Sequence, residues 1–275
     1  MSRRGNFAQG NFYPGDPDLI EDMFKEIIEE EEVDHFLGGK TVIGGIAPHA
    51  GYIYCAKVAV PLFEIIGKSK VTYDTVVIIN PNHTGYGHGV EIDKNEFWKT
   101  PFGEVEIDTE LREDMNVEVG ELAQKFEHSG EVLLPYLKYF IRSDFKILPI
   151  CIMDHRYSTV KALARELYEL SVKSKKRILV VASSDFTHFE TREVGRELDN
   201  YALEAIEALD SEEFYRRVGE KDMSICGFGP IIVLMEYLKL AAKNPKLRIV
   251  ARGDSGEINN EKHVVDYVSL VAIDD

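Results

Sequence analysis

The chain has 275 residues, with 32 Lys plus Arg against 48 Asp plus Glu and a formal charge of −16 at pH 7. Hydrophobic residues at 44% and charged residues at 29% exclude a disordered or fibrous chain and allow a full buried core. The acidic balance, without a Lys/Arg stripe, argues against nucleic acid as a partner, and no apolar run reaches the ~18 residues of a membrane span.

The first residues, Met1 to Asn6, carry charge but no following apolar stretch, so no secretory signal is read and a cytoplasmic location is expected. In chain order the hydrophobic pattern predicts a helix over 18–32, whose Glu29 to Glu32 run reads as a wet face, and a strand over 41–47. A helix over 56–66 and a strand over 74–80 follow. Residues 91–108 read as an inserted hairpin around Thr100-Pro101-Phe102-Gly103. Next come a helix over 131–141, a strand over 145–153, a helix over 158–174 and a strand over 177–183. Helices over 192–209 and 229–243 and strands over 247–252 and 264–273 complete the set, the last two strands pairing antiparallel. This alternation predicts a single α/β domain over 1–275, with a central mixed, mostly parallel sheet and helices on both faces. The basic cluster Lys173 to Arg177 reads as a solvated helix end.

Chemistry collects beyond the carboxyl ends of the strands, where open α/β sheets form their crevice. Three strands each run into a polar turn carrying an imidazole: Pro48-His49-Ala50-Gly51-Tyr52, Pro81-Asn82-His83-Thr84, and Ser184-Asp185-Phe186-Thr187-His188. A core histidine more often sits inside the apolar run; a turn imidazole can also be incidental. Three arriving at one rim point to a site, for metal binding or for titration near neutrality. Of the three cysteines, Cys151 lies in an apolar strand and reads as a small buried hydrophobe, and the odd number and wide spacing exclude a disulfide framework. Cys226 precedes Gly227-Phe228-Gly229-Pro230 at the start of an apolar helix, where the helix dipole favours thiolate, as a metal ligand or as a nucleophile. Glu127 and His128 stand before a helix that Ser129 can cap, and Tyr52 and Tyr54 can line a pocket. His35, His88, His155 and His263 read as surface or structural.

These residues carry a resemblance that runs almost end to end. Pro48-His49-Ala50-Gly51-Tyr52-Ile53-Tyr54-Cys55, Asn82-His83, Glu127-His128-Ser129, Ser183 to His188 and Ile225-Cys226-Gly227 resemble the Memo family. Phe12-Tyr13-Pro14 and Asp266 to Leu270 resemble it too. The family is similar to the catalytic subunit of class III extradiol dioxygenases, which implies that fold and a metal site of His49, His83 and Cys226. The resemblance also implies Asp185 and His188 nearby, with Glu127 and His128 joining the pocket. The ring-cleaving enzymes hold iron with two His and one carboxylate. A thiolate as third ligand is softer, so iron or copper is expected and zinc fits as well.

Three functions remain open on the sequence. The first is a metal-dependent oxidoreductase, with His188, oriented by Asp185, as general acid/base. The second is a non-catalytic crevice for a small-molecule or peptide ligand or partner protein. The third is a thiol hydrolase with Cys226 as nucleophile. The substrate and the oligomeric state are not legible.

Overall fold

The computed structural model describes residues 1–30 and 40–275. Glu31, Glu32 and His35 therefore lie outside the described residues. The strands are β1 (Arg3–Arg4), β2 (Thr41–Ala47), β3 (Thr75–Pro81), β4 (Val90–Asp93), β5 (Phe97–Thr100) and β6 (Gly103–Glu106). They continue with β7 (Glu118–Gly120), β8 (Lys146–Ile152), β9 (Ile178–Ser183), β10 (His188–Thr191), β11 (Pro245–Asp254) and β12 (His263–Asp274). The helices are α1 (Pro17–Glu30), α2 (Tyr52–Gly67), α3 (Thr109–Asp114), α4 (Leu122–Lys125) and α5 (Leu134–Phe140). After them come α6 (Tyr157–Ser174), α7 (Arg192–Glu207), α8 (Ser211–Glu220), α9 (Phe228–Ala241) and α10 (Gly256–Asn259).

The mixed sheet is built as the alternation predicts. Its order is β10-β12-β2-β9-β3-β8-β4-β7, with β11 also paired to β12. The four central strands, β2, β9, β3 and β8, run parallel, and the strands added on both sides, β12 and β4, join antiparallel. Buried on both faces, β3 reads as an unbroken apolar run, Thr-Val-Val-Ile-Ile, rather than an alternating one. Its side chains nonetheless divide by parity. Val77 and Ile79 pack with Leu163, Leu167 and Leu234 of α6 and α9, while Val76 and Ile78 pack with Phe24, Leu62 and Tyr136 of α1, α2 and α5.

Several elements differ from the expectation, each for a local reason. The expected hairpin shrinks to β5 and β6, because β4 leaves it to pair with β8. Its free edge is covered by β1, with Arg3 opposite Phe97. The helix expected over 192–209 stops at Glu207, and Leu209 turns left-handed at φ 55°. Asp210 then caps a separate helix, α8, by accepting the Glu213 N–H at 3.0 Å. The Lys173 to Arg177 cluster does end a helix: α6 stops at Ser174 and Lys175 adopts φ 59°.

The short strand β10 positions one of the candidate histidines. A bulge between His188 and Glu190 interrupts its pairing with β12. The bulged residue, Phe189, has φ 61° and is 76% exposed. Bulges re-aim side chains beside sites, and here the extra residue sets the facing of His188. A bulky side chain in the left-handed region costs roughly 1–2 kcal/mol. Phe189→Gly should therefore leave stability within about 1 kcal/mol of the parent or raise it, whereas β-branched Phe189→Val should lower it by about 1–2 kcal/mol. Urea denaturation reads the order; Val as stable as Gly would contradict the strain.

Candidate metal centre and its cavity

His49 leaves the end of β2 and is buried. Its backbone N–H donates to Asp185 Oδ1 at 2.8 Å, and its Nδ1 lies 2.8 Å from Ser183 Oγ. The Ser183 hydroxyl donates its single proton to the Ser129 carbonyl at 2.7 Å. Ser183 Oγ must then accept from Nδ1–H, which leaves the lone pair of His49 on Nε2. That nitrogen stands 3.4 Å from Cys226 Sγ. Burial, reinforced by His128 and His83, holds the His49 pKa well below the usual imidazole range, so the ring is a neutral lone-pair donor.

His83 follows β3 and is held the same way by a different group. Its backbone N–H donates to Glu127 Oε2 at 2.6 Å, and its Nδ1 to Glu127 Oε1 at 2.9 Å. Nε2 is again the free nitrogen. The Glu127 carboxylate is fully buried and also accepts from the His128 N–H, the Ser129 N–H and the Ser129 hydroxyl. Burial alone would raise its pKa; the hydrogen bond and charge of His83 overcome that and bring it to about 2. Burial likewise opposes charge on His83, but the Glu127 contact wins and raises its pKa.

Cys226 sits just before Gly227, which caps α9. A Cβ on Gly227 would stand 2.3 Å from the Ser183 carbonyl, so only glycine lets this turn press against the end of β9. The Asp185 N–H points at Cys226 Sγ at 3.3 Å. Burial, with Asp185 adding to it, pushes the thiol pKa up rather than down. The thiolate expected from helix placement is therefore not the resting form of the free site. A helix terminus lowers a thiol pKa only where desolvation does not outweigh it, and a half-buried neutral thiol is a poor nucleophile for the hydrolase reading.

His49, His83 and Cys226 each offer a ligand atom, and these atoms lie within 4.8 Å of one another. Donors at about 2.0–2.3 Å from one tetrahedral ion stand roughly 3.5 Å apart, the separation already shown by His49 Nε2 and Cys226 Sγ. The residues fit a metal. A second trio, His83, Glu127 and His128, is equally compact. Its closeness is the hydrogen bond itself: Glu127 Oε1 already serves His83, His128 and Ser129. We read Glu127 as the support of His83, not as a ligand.

A cavity of about 430 Å³ opens beside these residues and is lined by His49, His83, Tyr54, Asp185, His188, His128 and Tyr267 among others. His128 stacks on Phe12 at 4.3 Å between centroids, and burial lowers its pKa to about 4. Tyr52 does not reach the cavity. It points into the core, where its hydroxyl donates to the Val132 carbonyl at 2.8 Å and its ring packs on Tyr136. Helix α2 starts at Tyr52 itself, and the two residues from Tyr52 to Tyr54 turn the helix by roughly 200°, so that Tyr54 lines the cavity while Tyr52 faces the core. Glu127 stands behind His83 rather than in the lining. Asp185, which burial raises to a pKa of about 6, bonds the His49 amide and not His188. His188 lines the cavity with its Nδ1 buried and unpartnered among the described residues. Ser129 supports Glu127 instead of capping a helix, since the turn after it is capped at Gly130. His155 accepts the Gly229 N–H at 3.2 Å and His88 pairs with Glu91, both structural. Cys151 is buried, as expected of a strand residue.

Residues outside the expected ligand set and pocket brace this site. Arg4 is buried over the Trp98 ring and donates to the carbonyls of Gln124 and Glu127 and to Glu131 Oε2. Glu131 also accepts from the Phe7 and Ala8 amides and the Tyr13 hydroxyl, tying the N-terminal segment to the turn that bears Glu127. Arg4→Met should cost about 3–5 kcal/mol by leaving the buried Glu131 carboxylate with neutral donors only and no counter-charge, read as a lowered denaturant midpoint. A loss below about 1 kcal/mol would deny the bracing role.

On the other side, Asp266 exchanges backbone hydrogen bonds with Phe186 and Thr187, while the Thr187 hydroxyl donates to Asp199 Oδ1 at 2.7 Å. Asp266 faces Asp199, Asp254, Arg192 and Arg196; Arg192 is taken by Asp254, and Asp266 Oδ2 has no partner among the described residues. Burial, then the like charges of Asp199 and Asp254, raise the Asp266 pKa to about 7. In the unfolded chain this group releases its proton near pH 3.9. Between those values the folded state binds more protons, so stability should fall as pH rises from about 4 to 7. Asp266→Asn should flatten that fall and be more stable than the parent at pH 8 by roughly 1–2 kcal/mol in denaturant titrations. An unchanged pH profile would remove the assignment.

The Memo-like protein family matches residues 3–271 of this chain. A MEMO1 family protein of Methanosarcina barkeri is 38% identical over 267 residues, covering 95% of this chain and 97% of that protein. One from Desulfurococcus amylolyticus is 37% identical over 282 residues, covering 98% and 99%. Among solved structures, the uncharacterized protein JW3007 from Escherichia coli K12 superposes with a TM-score of 0.51 at 14% identity, over 84% of this chain and 98% of that one. That likeness speaks for the fold alone. The turns that carry His49, His83 and Cys226 lie within the matched span, and the chain belongs to the Memo family.

Proposed function

We propose that this chain is a metal-binding, redox-active protein whose ion is held by His49, His83 and Cys226. One observation carries the reading: two imidazoles have their Nδ1 atoms pinned from behind, by Ser183 and Glu127, and a ring nitrogen of each lies within 4.8 Å of a shared thiol, His49 Nε2 at 3.4 Å. Such outer partners fix the tautomer and the aim of a ligating imidazole. The donor set, two nitrogens and one sulfur, suits iron or copper, and zinc as well. A bound ion would supply Lewis acidity or electron transfer at a position open to the cavity.

The chain's own residues do the rest. Ser183 and Glu127 hold each ring in the tautomer that presents Nε2. Asp185 fixes the His49 backbone, so its role is positioning. Phe12 and Tyr54 give the cavity wall apolar ring surface. His188, with a free Nδ1, is placed to hold or move a proton of a bound molecule as general acid/base. The reading makes the chain a metal-dependent oxidoreductase of unnamed substrate.

Elemental analysis of anaerobically purified protein should find one equivalent of iron or copper. His49→Ala and Cys226→Ala should lose it, and Glu127→Gln should weaken affinity about 10–100-fold while the ligand set stays complete. Full metal retention in both alanine variants would end the proposal.

A further inference from the structure

The cavity beside the proposed centre has an electrostatic bias that the metal reading does not use. Two carboxylates, Asp185 and Glu261, face it, and among the described residues lining it there is no Lys or Arg. His83 is matched from behind by the Glu127 carboxylate at 2.9 Å, so that pair adds no net positive field. A divalent ion at the centre would be offset by the Cys226 thiolate and the Asp185 carboxylate. The floor of the cavity is therefore neutral or negative with or without metal. The remainder of the chain, at −16, deepens the same sign.

The walls add to this. Phe12, Tyr54 and Tyr267 line the cavity with aromatic surface. Ring faces attract cations through their quadrupole, and do so most where water is excluded. Phe12 already gives one face to His128, at an interplanar angle of 20°. His188 Nδ1 is buried and without a partner among the described residues. A buried nitrogen left unpaired in the free protein is costly unless a ligand supplies the missing hydrogen bond. An ammonium donates hydrogen bonds and accepts none, which matches two carboxylates and aromatic faces. A carboxylate or phosphate matches none of these.

We propose that this cavity takes a molecule bearing a cationic amine beside an aromatic or aliphatic body, and discriminates against anionic molecules of the same shape. Its volume of about 430 Å³ is that of a small-molecule site. Asp185 and Glu261 are the specificity-determining residues: Asp185 at the floor, where desolvation strengthens its field, and Glu261 at the exposed rim. The inference rests on the functional reading above for what the bound amine would meet, but the charge preference belongs to this chain's own side chains.

Three probes of nearly one shape differ only in side-chain charge: tyramine, tyrosol and 4-hydroxyphenylacetate. Calorimetric titration of the full chain, metal-free and metal-loaded, should show tyramine binding about tenfold or more tighter than 4-hydroxyphenylacetate, with tyrosol between. Glu261→Gln should narrow that ratio about two- to fivefold, as a rim charge does. Asp185→Asn retains an oxygen for the His49 amide and should narrow it about tenfold. A ratio that neither substitution moves, a preference for the carboxylate, or no tyramine binding at about 10 mM overturns the inference. Elemental analysis separates the two claims. Metal-loaded protein that prefers the carboxylate sinks the amine only, and protein that takes up no iron, copper or zinc when supplied but prefers tyramine sinks the metal only.

Discussion

The Glu127 carboxylate is the constraint on which the site depends. It is fully buried, and a lone buried carboxylate would be protonated or expelled. It stays charged because His83 gives it both a backbone and a ring N–H, and because the following turn gives it the amides of His128 and Ser129 and the Ser129 hydroxyl. Satisfying one anion thus forces the loop after β3 and the turn before α5 into a single arrangement. The direction of His83 Nε2 follows from it. The Ser129 carbonyl then receives the Ser183 hydroxyl, which turns the His49 ring. One hydrogen-bond network aims both imidazoles.

Cys226 enters this arrangement as a neutral thiol. Burial keeps its proton on, and the Sγ–Nε2 contact to His49 at 3.4 Å is the closest link between the third candidate ligand and the first two. The ligand atoms are therefore assembled before any ion arrives, and little chain entropy remains to be lost on binding. The same burial explains why a hydrolase is a poor reading of this chain. A nucleophilic cysteine needs a lowered pKa and access, and Cys226 has the first reversed.

Fold and site carry different amounts of functional meaning. The sheet architecture is shared with a protein at 14% identity, where it says nothing about chemistry. The identity of 37% and 38% with relatives across nearly the whole chain places the family. What the cavity can hold rests on the side chains that face it, among them His188, Asp185, Glu261 and three aromatic rings.

Much of this was legible in the chain before folding. The central strands announce themselves as apolar β-branched runs because both of their faces are covered, and each run ends in a polar turn because the sheet ends there. That periodicity was enough to bring His49, His83 and the Asp185 to His188 turn to one rim. Local patterns could not say which way a side chain faces once a helix start or a bulge intervenes. Tyr52 was expected in the pocket and lies in the core, because α2 begins at that residue. The aim of His188 depends on the bulge at Phe189. Nor can periodicity see long-range polar pairing: only the packed structure closes Arg4 and Glu131 into a buried pair 127 positions apart. The protonation of Cys226 was decided the same way, since its position before a helix is local while its desolvation is a property of everything that covers it. Sequence determines where backbone segments end; tertiary packing alone determines which charges lose their water, and that loss sets the chemistry.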